Sequence, residues 1–280
     1  MKRILGSTLG LMFALALGHG CAQPRIDCTT GHGGFTAVYK LKPGSKTGAG
    51  DCDTLKGEVI GVEKYNPAQT DNPDRQDLTK AILAIRTNTL GVLDQEASSA
   101  NVVDPMQELD SIGNFASTTP NDNDVCTVPN LSVARQTLPK FTYVPPQNKP
   151  TDPPNPPVAV DESDITYTWS NIRVYVTTAL PGTQLVGDLT YTKNGCTASY
   201  SVLGLWPAVS CVVKDSDGNP ILDTEGKLKY DESLCNPDAD PDAGRATGSG
   251  INPDIFAEKR VKCDTGLGQC VLTAPPTQLQ

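Results

Sequence analysis

This chain is short of histidine, aromatic residues and basic charge, and each shortage removes a class of function. Of its two histidines, His19 lies in an apolar leader, which leaves His32 alone in the remainder. Zinc sites built on two or three imidazoles, HExxH among them, are therefore excluded. A Ser-His-Asp triad would have to use His32. That residue stands in Thr30-Gly31-His32-Gly33-Gly34 with no GxSxG elsewhere, so a glycine-rich turn accounts for it. No CxxC pair occurs either, which argues against thiolate zinc sites. Aromatics amount to Phe 5, Trp 2 and Tyr 8, whereas Gly 25 and Pro 23 are plentiful. Such a chain has many turns and a modest core, so covalent cross-links are expected to carry part of its stability. Lys and Arg total 23 against 32 acidic residues; once Lys2 and Arg3 leave with the leader, the balance is 21 to 32, a formal charge of −11. Nucleic acid and anionic headgroups, which need basic patches, are poor partners for that surface.

What the chain does have is a secretory start. Residues 1–20 combine a basic beginning (Lys2, Arg3), an apolar stretch from Ile4 to Leu17, and small residues leading to Cys21. The stretch is too short to span a bilayer. A cysteine directly after such a segment resembles the lipobox of bacterial lipoproteins, with Gly18 where that family usually carries Leu and Leu17 one step further back. The resemblance implies cleavage before Cys21 and acylation of that residue, palmitate being the expected kind of chain. Each buried methylene contributes roughly 0.8 kcal/mol, so several chains anchor firmly. Ala22, not Asp, follows the cysteine, and in Gram-negative lipoproteins this implies the outer membrane.

Cysteine parity agrees. There are nine cysteines; setting Cys21 aside leaves Cys28, Cys52, Cys126, Cys196, Cys211, Cys235, Cys263 and Cys270, an even set suited to a disulfide framework in an exported protein. A soluble secreted chain cut near Gly20 would leave one thiol over. The clearest internal boundary is Val144–Pro157, where seven of the thirteen residues from Pro145 onward are proline. Such a segment is an extended connector. It divides the chain into a signal peptide (1–20), an N-terminal β-rich region (21–143), the connector (144–160) and a C-terminal β domain (161–280). Three of the eight cysteines precede the connector and five follow it, so at least one bridge must cross. Short sequence separation suggests Cys196–Cys211 and Cys263–Cys270 as local bridges.

Hydrophobic alternation predicts strands. Asp188–Lys193 and Cys196–Leu203 flank Asn194-Gly195, the preferred type I′ hairpin dipeptide, which sets Lys193 opposite Cys196 and Leu189 opposite Tyr200. One face then carries Leu189, Tyr191, Ala198, Tyr200 and Val202, and the other threonines and serines. Upstream, Ile165, Tyr167 and Trp169 alternate with polar residues before the parity switches to Ile172, Val174 and Val176, which demands a bulge near Ser170-Asn171. Pro181-Gly182 reads as the turn into the hairpin. Residues 35–41, 58–65 and 80–87 read as further strands, and 215–219 as a hairpin loop. One short helix is expected after Asp104 (N-cap), with Pro105 first, Gln107 closing a capping box and Gly113 ending it. The fold class is thus mainly β: antiparallel sheets, sandwich-like, with one short helix and disulfide cross-links.

Two acidic loops merit comparison with calcium sites: Asp215–Asn219, and Asp238, Asp240 and Asp242. Alternate carboxylates can surround a hard cation, yet neither loop has EF-hand order, and turns use the same residues. No catalytic residue and no cofactor is indicated. Several segments, Cys21-Ala-Gln-Pro24, Phe35-Thr-Ala-Val-Tyr39, Leu205-Trp-Pro-Ala-Val209 and Gly248-Ser-Gly-Ile-Asn-Pro-Asp254, resemble cysteine-rich envelope lipoproteins of the myxobacterial type. That resemblance implies an anchor and no activity. The sequence therefore reads as a non-enzymatic, lipid-anchored envelope protein, whose partners are the membrane and an envelope protein or glycan. Two alternatives stay open. An exposed shelf of Trp169, Tyr175 and Trp206 would mark a surface glycan- or protein-binding module, with or without calcium. A deep pocket with facing carboxylates would mark a hydrolase.

Overall fold

The computed structural model describes residues 26–147, 153–243 and 245–280. The leader and Cys21 lie outside them, as do residues 148–152 of the connector. The antiparallel, mainly β expectation is met, and one sheet does most of the building. Its strands are β1 (Gly33–Leu41), β2 (Gly57–Tyr65), β3 (Ile82–Thr87), β4 (Asp110–Asn114), β5 (Val125–Asn130), β6 (Ala134–Leu138), β9 (Ser163–Val176), β10 (Pro181–Lys193) and β11 (Cys196–Leu205). They run in the order β4-β3-β2-β1-β11-β10-β9-β5, with β6 also on β9. β5 and β6 lie end to end along the two halves of β9.

The layering differs from a sandwich, because the sheet curves until its edges meet. Ala116 N–H donates to Thr127 O at 2.8 Å, Ser132 N–H to Ile112 O at 2.8 Å, and Glu108 and Arg135 exchange backbone bonds of 2.9 and 2.7 Å. Nine strands, two sharing one place, thus close an eight-stave barrel. A barrel of that size is just wide enough to be filled by its own side chains. Phe35, Ile60, Leu83, Tyr167, Trp169 and Tyr200 do so, each under 2 % exposed. Burying such a side chain contributes roughly 1.5–3 kcal/mol, and closure leaves the staves no free edge.

The central hairpin forms as the sequence predicts. Asn194 and Gly195 have φ of 50° and 80°, and the register pairs Lys193 with Cys196 and Leu189 with Tyr200. The bulge is also present: Asn171 has φ 51°, and pairing between β9 and β10 slips between Val186 and Asp188. Gly187 opposes the bulge, where a Cβ would lie 2.3 Å from Ile172 Cδ1. The turn before β10 falls at Thr177–Leu180, whose backbone groups bond at 3.1 Å, and Pro181 already opens the strand.

The helix expected at Asp104 is not formed. Asp104 accepts from Met106 N–H at 2.9 Å and from Thr137 N–H at 2.7 Å, so it ties a turn to β6. The residues after it become β4, pairing with β3. A side chain that accepts a nearby N–H serves a turn and an N-cap alike; the waiting edge of β3 decided between them. The main helix is instead α1 (Asn88–Ser99), capped by the Thr87 side chain and burying Leu90 and Ala97.

The proline-rich segment joins β7 (Phe141–Tyr143) to β8 (Val158–Val160), which pair with each other. That pairing brings the described ends of the segment together, and the segment does not divide one sheet from another: the barrel takes strands from both 21–143 and 161–280. Beyond β11, α2 (Pro253–Ala257) and the hairpin of β12 (Val261–Asp264) and β13 (Gln269–Leu272) enclose a second core with Leu205, Ile251 and Ile255.

All eight described cysteines are bridged: Cys28–Cys126, Cys52–Cys196, Cys211–Cys263 and Cys235–Cys270. Cys52–Cys196 crosses the connector. The local pairs Cys196–Cys211 and Cys263–Cys270 are not formed. Cys196 opens β11 and Cys211 lies beyond its far end, about 30 Å of strand away. Cys263 and Cys270 oppose each other across β12 and β13, yet each fastens the hairpin to more distant chain. Bridges of this kind contribute roughly 2–4 kcal/mol, more for long loops. Non-reducing peptide mapping is expected to recover these four pairs; a Cys196–Cys211 peptide would contradict the barrel.

Stability measurements on the hairpin test the faces. Gly195→Val should cost more than about 1 kcal/mol, since a β-branched residue resists positive φ. Tyr200→Ala, inside the barrel, should cost about 3 kcal/mol. Thr197→Val, on the outside, should cost under about 0.5 kcal/mol. Urea unfolding reads the order, and Thr197→Val as the most damaging change would mean that the register is wrong.

Candidate functional site

Alternation along β2 turns Glu58 inward beside Ile60 and Val62. Its carboxylate accepts from Tyr39 OH at 3.2 Å, Tyr167 OH at 3.0 Å and Thr89 N–H, in the first turn of α1, at 2.8 Å. Tyr191 adds its ring to Tyr167, with centroids 5.1 Å apart. Burial first, then the Glu58 charge, holds the phenols of Tyr39, Tyr167 and Tyr191 above the usual tyrosine range. These groups stay protonated, and those of Tyr39 and Tyr167 donate to Glu58. The cluster locks α1 across one end of the barrel, and sequence reading missed it because Glu58 gives no local sign of facing inward.

The residues singled out in the sequence are dispersed. His32 stands exposed on the rim with Nδ1 against Glu63. Trp169 is in the core, stacked 6.3 Å from Tyr167. Trp206 is half-buried and donates its indole N–H to His32 O at 2.9 Å. Tyr175 packs outside the barrel, by Leu279. No shelf of these three aromatics is assembled. In the first acidic loop, Asp215 accepts from the N–H groups of Asp217 and Asn219, and Asp223 repeats the device with Glu225 and Lys227. In the second, Asp238 N–H donates to the Asn236 side chain. Asp240 exchanges backbone bonds with Arg245, whose guanidinium lies 3.4 Å from its carboxylate. Asp242 sits in the short turn Pro241–Ala243. Among the described residues, no three His, Cys, Asp or Glu side chains converge on one point.

A concavity of about 680 Å³ lies on the outer wall, under the β12–β13 hairpin and the C-terminal segment. Its floor follows from register: Val38, Leu203, Val186 and Arg173 form one row across β1, β11, β10 and β9. Lys40, Ser201, Asp188 and Asn171 line the floor beside that row, while Leu272, Pro275 and Leu279 line the opposite side. Asp188 pairs with Lys42 at 2.6 Å and accepts from Asn171 at 2.9 Å. Burial acts upward on its carboxyl, but the Asn171 amide and Lys42 ammonium outweigh it, and the group lies below the usual aspartate range. Asp264, also lining the groove, accepts from the N–H groups of Gly266 and Leu267.

The barrel is where comparison with known proteins bears. The family model MlpA matches residues 33–207, more than half of the chain, from the first residue of β1 to just past β11. The chain belongs to the MlpA family. A Myxococcus xanthus protein named "Putative lipoprotein MlpA" is 28% identical over 280 residues, covering 96% of this chain and 95% of that protein. No solved structure matches. The family match therefore covers the barrel, and the disulfide-knit segment roofing the groove lies beyond it. Among the described residues, no helix is long and apolar enough to cross a membrane.

Within the MlpA barrel, Glu58→Ala should strand two phenols and one helix N–H, costing about 2–3 kcal/mol. Glu58→Gln keeps one acceptor oxygen and should cost less. Urea unfolding, with far-ultraviolet dichroism following α1, checks both; equal and negligible effects would mean the cluster holds nothing.

Proposed function

We propose that this chain is a lipid-anchored protein of the cell envelope, held in the outer membrane through Cys21, with a non-enzymatic role of structure or interaction. The observation that carries the reading is the short tether. Cys28 follows Cys21 by seven positions, and it is buried and bonded to Cys126 in the barrel core. A fully extended tether of that length reaches at most about 25 Å, so an acylated Cys21 would hold a rigid barrel close against the bilayer. The lipoprotein name of the Myxococcus xanthus relative, aligned over nearly its whole length, supports the anchor. Ala22 supports the outer membrane. The non-enzymatic role is supported by the occupied state of the groove's carboxylates, Asp188 and Asp264, and by the rim position of His32.

Growth with labelled palmitate is expected to label the wild type, and Cys21→Ser is expected to abolish labelling and release the protein from the membrane fraction. A soluble, unlabelled wild type would overturn the anchor.

A further inference from the structure

We propose that the outer-wall groove binds a single-chain anionic amphiphile of the fatty-acid type. This goes beyond the anchoring reading and does not depend on it, because the groove is formed wholly by residues from Val38 onward.

Charge is the first ground. Lys40 on β1, Arg173 on β9 and Lys262 on β12 all line the groove. Among the described residues, none of these three side chains makes a hydrogen bond or a close ion pair; Arg173 lies within electrostatic reach of Asp188, which Lys42 and Asn171 hold directly, and Asp264 accepts from backbone N–H groups. On a chain of formal charge −9, these three cations together with Lys42 outnumber the groove's two carboxylates, Asp188 and Asp264, and the local excess of positive charge attracts an anion.

Shape is the second. The floor between Lys40 and Arg173 is the apolar row Val38, Leu203 and Val186, roofed by Leu272, Pro275 and Leu279. With strands about 4.8 Å apart, the apolar row spans about 10 Å and reaches Arg173 about 15 Å from Val38, so a hydrocarbon chain can lie along it with its head group at Arg173. The volume of about 680 Å³ lies within the range of small-ligand sites.

The same features turn other occupants away. Each of the four floor strands is hydrogen-bonded on both sides, so the floor offers no strand edge to an extended peptide. A small hydrophilic anion would leave Val38 and Leu203, the partly exposed members of the floor, uncovered. A carboxylate with one long chain satisfies both charge and floor.

The test uses the exported full chain carrying Cys21→Ser, with its disulfides oxidised, titrated calorimetrically with palmitate below its aggregation limit. Hexadecanol offers the chain without the charge, and acetate the charge without the chain. One palmitate per protein is expected, with both controls at least about tenfold weaker. Arg173→Gln and Lys262→Gln should each weaken palmitate about tenfold, the loss of one charge-assisted contact. Leu203→Gln should weaken it at least as much. Arg173 and Lys262 face outward, so unchanged melting curves for their variants keep the comparison free of misfolding. The proposal is overturned if palmitate does not bind, if hexadecanol binds equally well, if Arg173→Gln keeps full affinity, or if an acidic peptide binds where palmitate does not. Palmitate labelling at Cys21 and palmitate affinity of the Cys21→Ser chain are separate readouts, so failure of one leaves the other standing.

Discussion

Closure of the sheet is the constraint from which the other features follow. Once β4 returns to β5 and β6, every stave has partners on both sides, and each strand has one face inside and one outside. An open sheet with this few aromatics would have had to find a second layer to cover it. The closed barrel covers itself, filling its interior with a handful of large side chains such as Trp169, Tyr167 and Tyr200. Closure also explains why a carboxylate sits inward on β2: at that end of the barrel Glu58 meets two phenols and a helix N-terminus, and all its partners are donors.

The bridges divide the work between them. Cys28–Cys126 ties the segment before β1 to β5, and Cys52–Cys196 ties the β1–β2 loop to the start of β11, so both fasten chain distant in sequence to the barrel wall. Cys211–Cys263 and Cys235–Cys270 gather the segment after β11, which has little regular structure of its own, into a small body against the outer wall. The groove is the gap between that body and the barrel. This origin accounts for its mixed character: an apolar wall left uncovered at Val38 and Leu203, with charged residues contributed from β1, β9 and β12 at its margins.

Much of the barrel's local build is legible in the residues. The Asn194-Gly195 hairpin, its register, the bulge at Asn171 and the need for a bridge across the proline-rich segment all rest on interactions between near neighbours or on parity. The capping signals after Asp104 mislead because they are equally those of a turn, and the true helix at Asn88–Ser99 is weakly marked, with Gly91 in its middle and only Leu90 and Ala97 buried. Local bridges mislead for a similar reason: closeness in sequence is not closeness in space when a ten-residue strand lies between.

Taken alone, the residues establish a leader-like start with its cysteine, the even cysteine remainder and the alternation that makes most of the chain strand. These are properties of composition and of a period of two, and they need no knowledge of what lies opposite. Four things required the folded arrangement: that the sheet closes, which cysteine meets which, that Glu58 is held among tyrosines, and that Lys40, Arg173 and Lys262 share one groove. Each of those depends on which strand lies beside which, and strand order is set by contacts between residues tens to more than a hundred positions apart, about which no local pattern carries information.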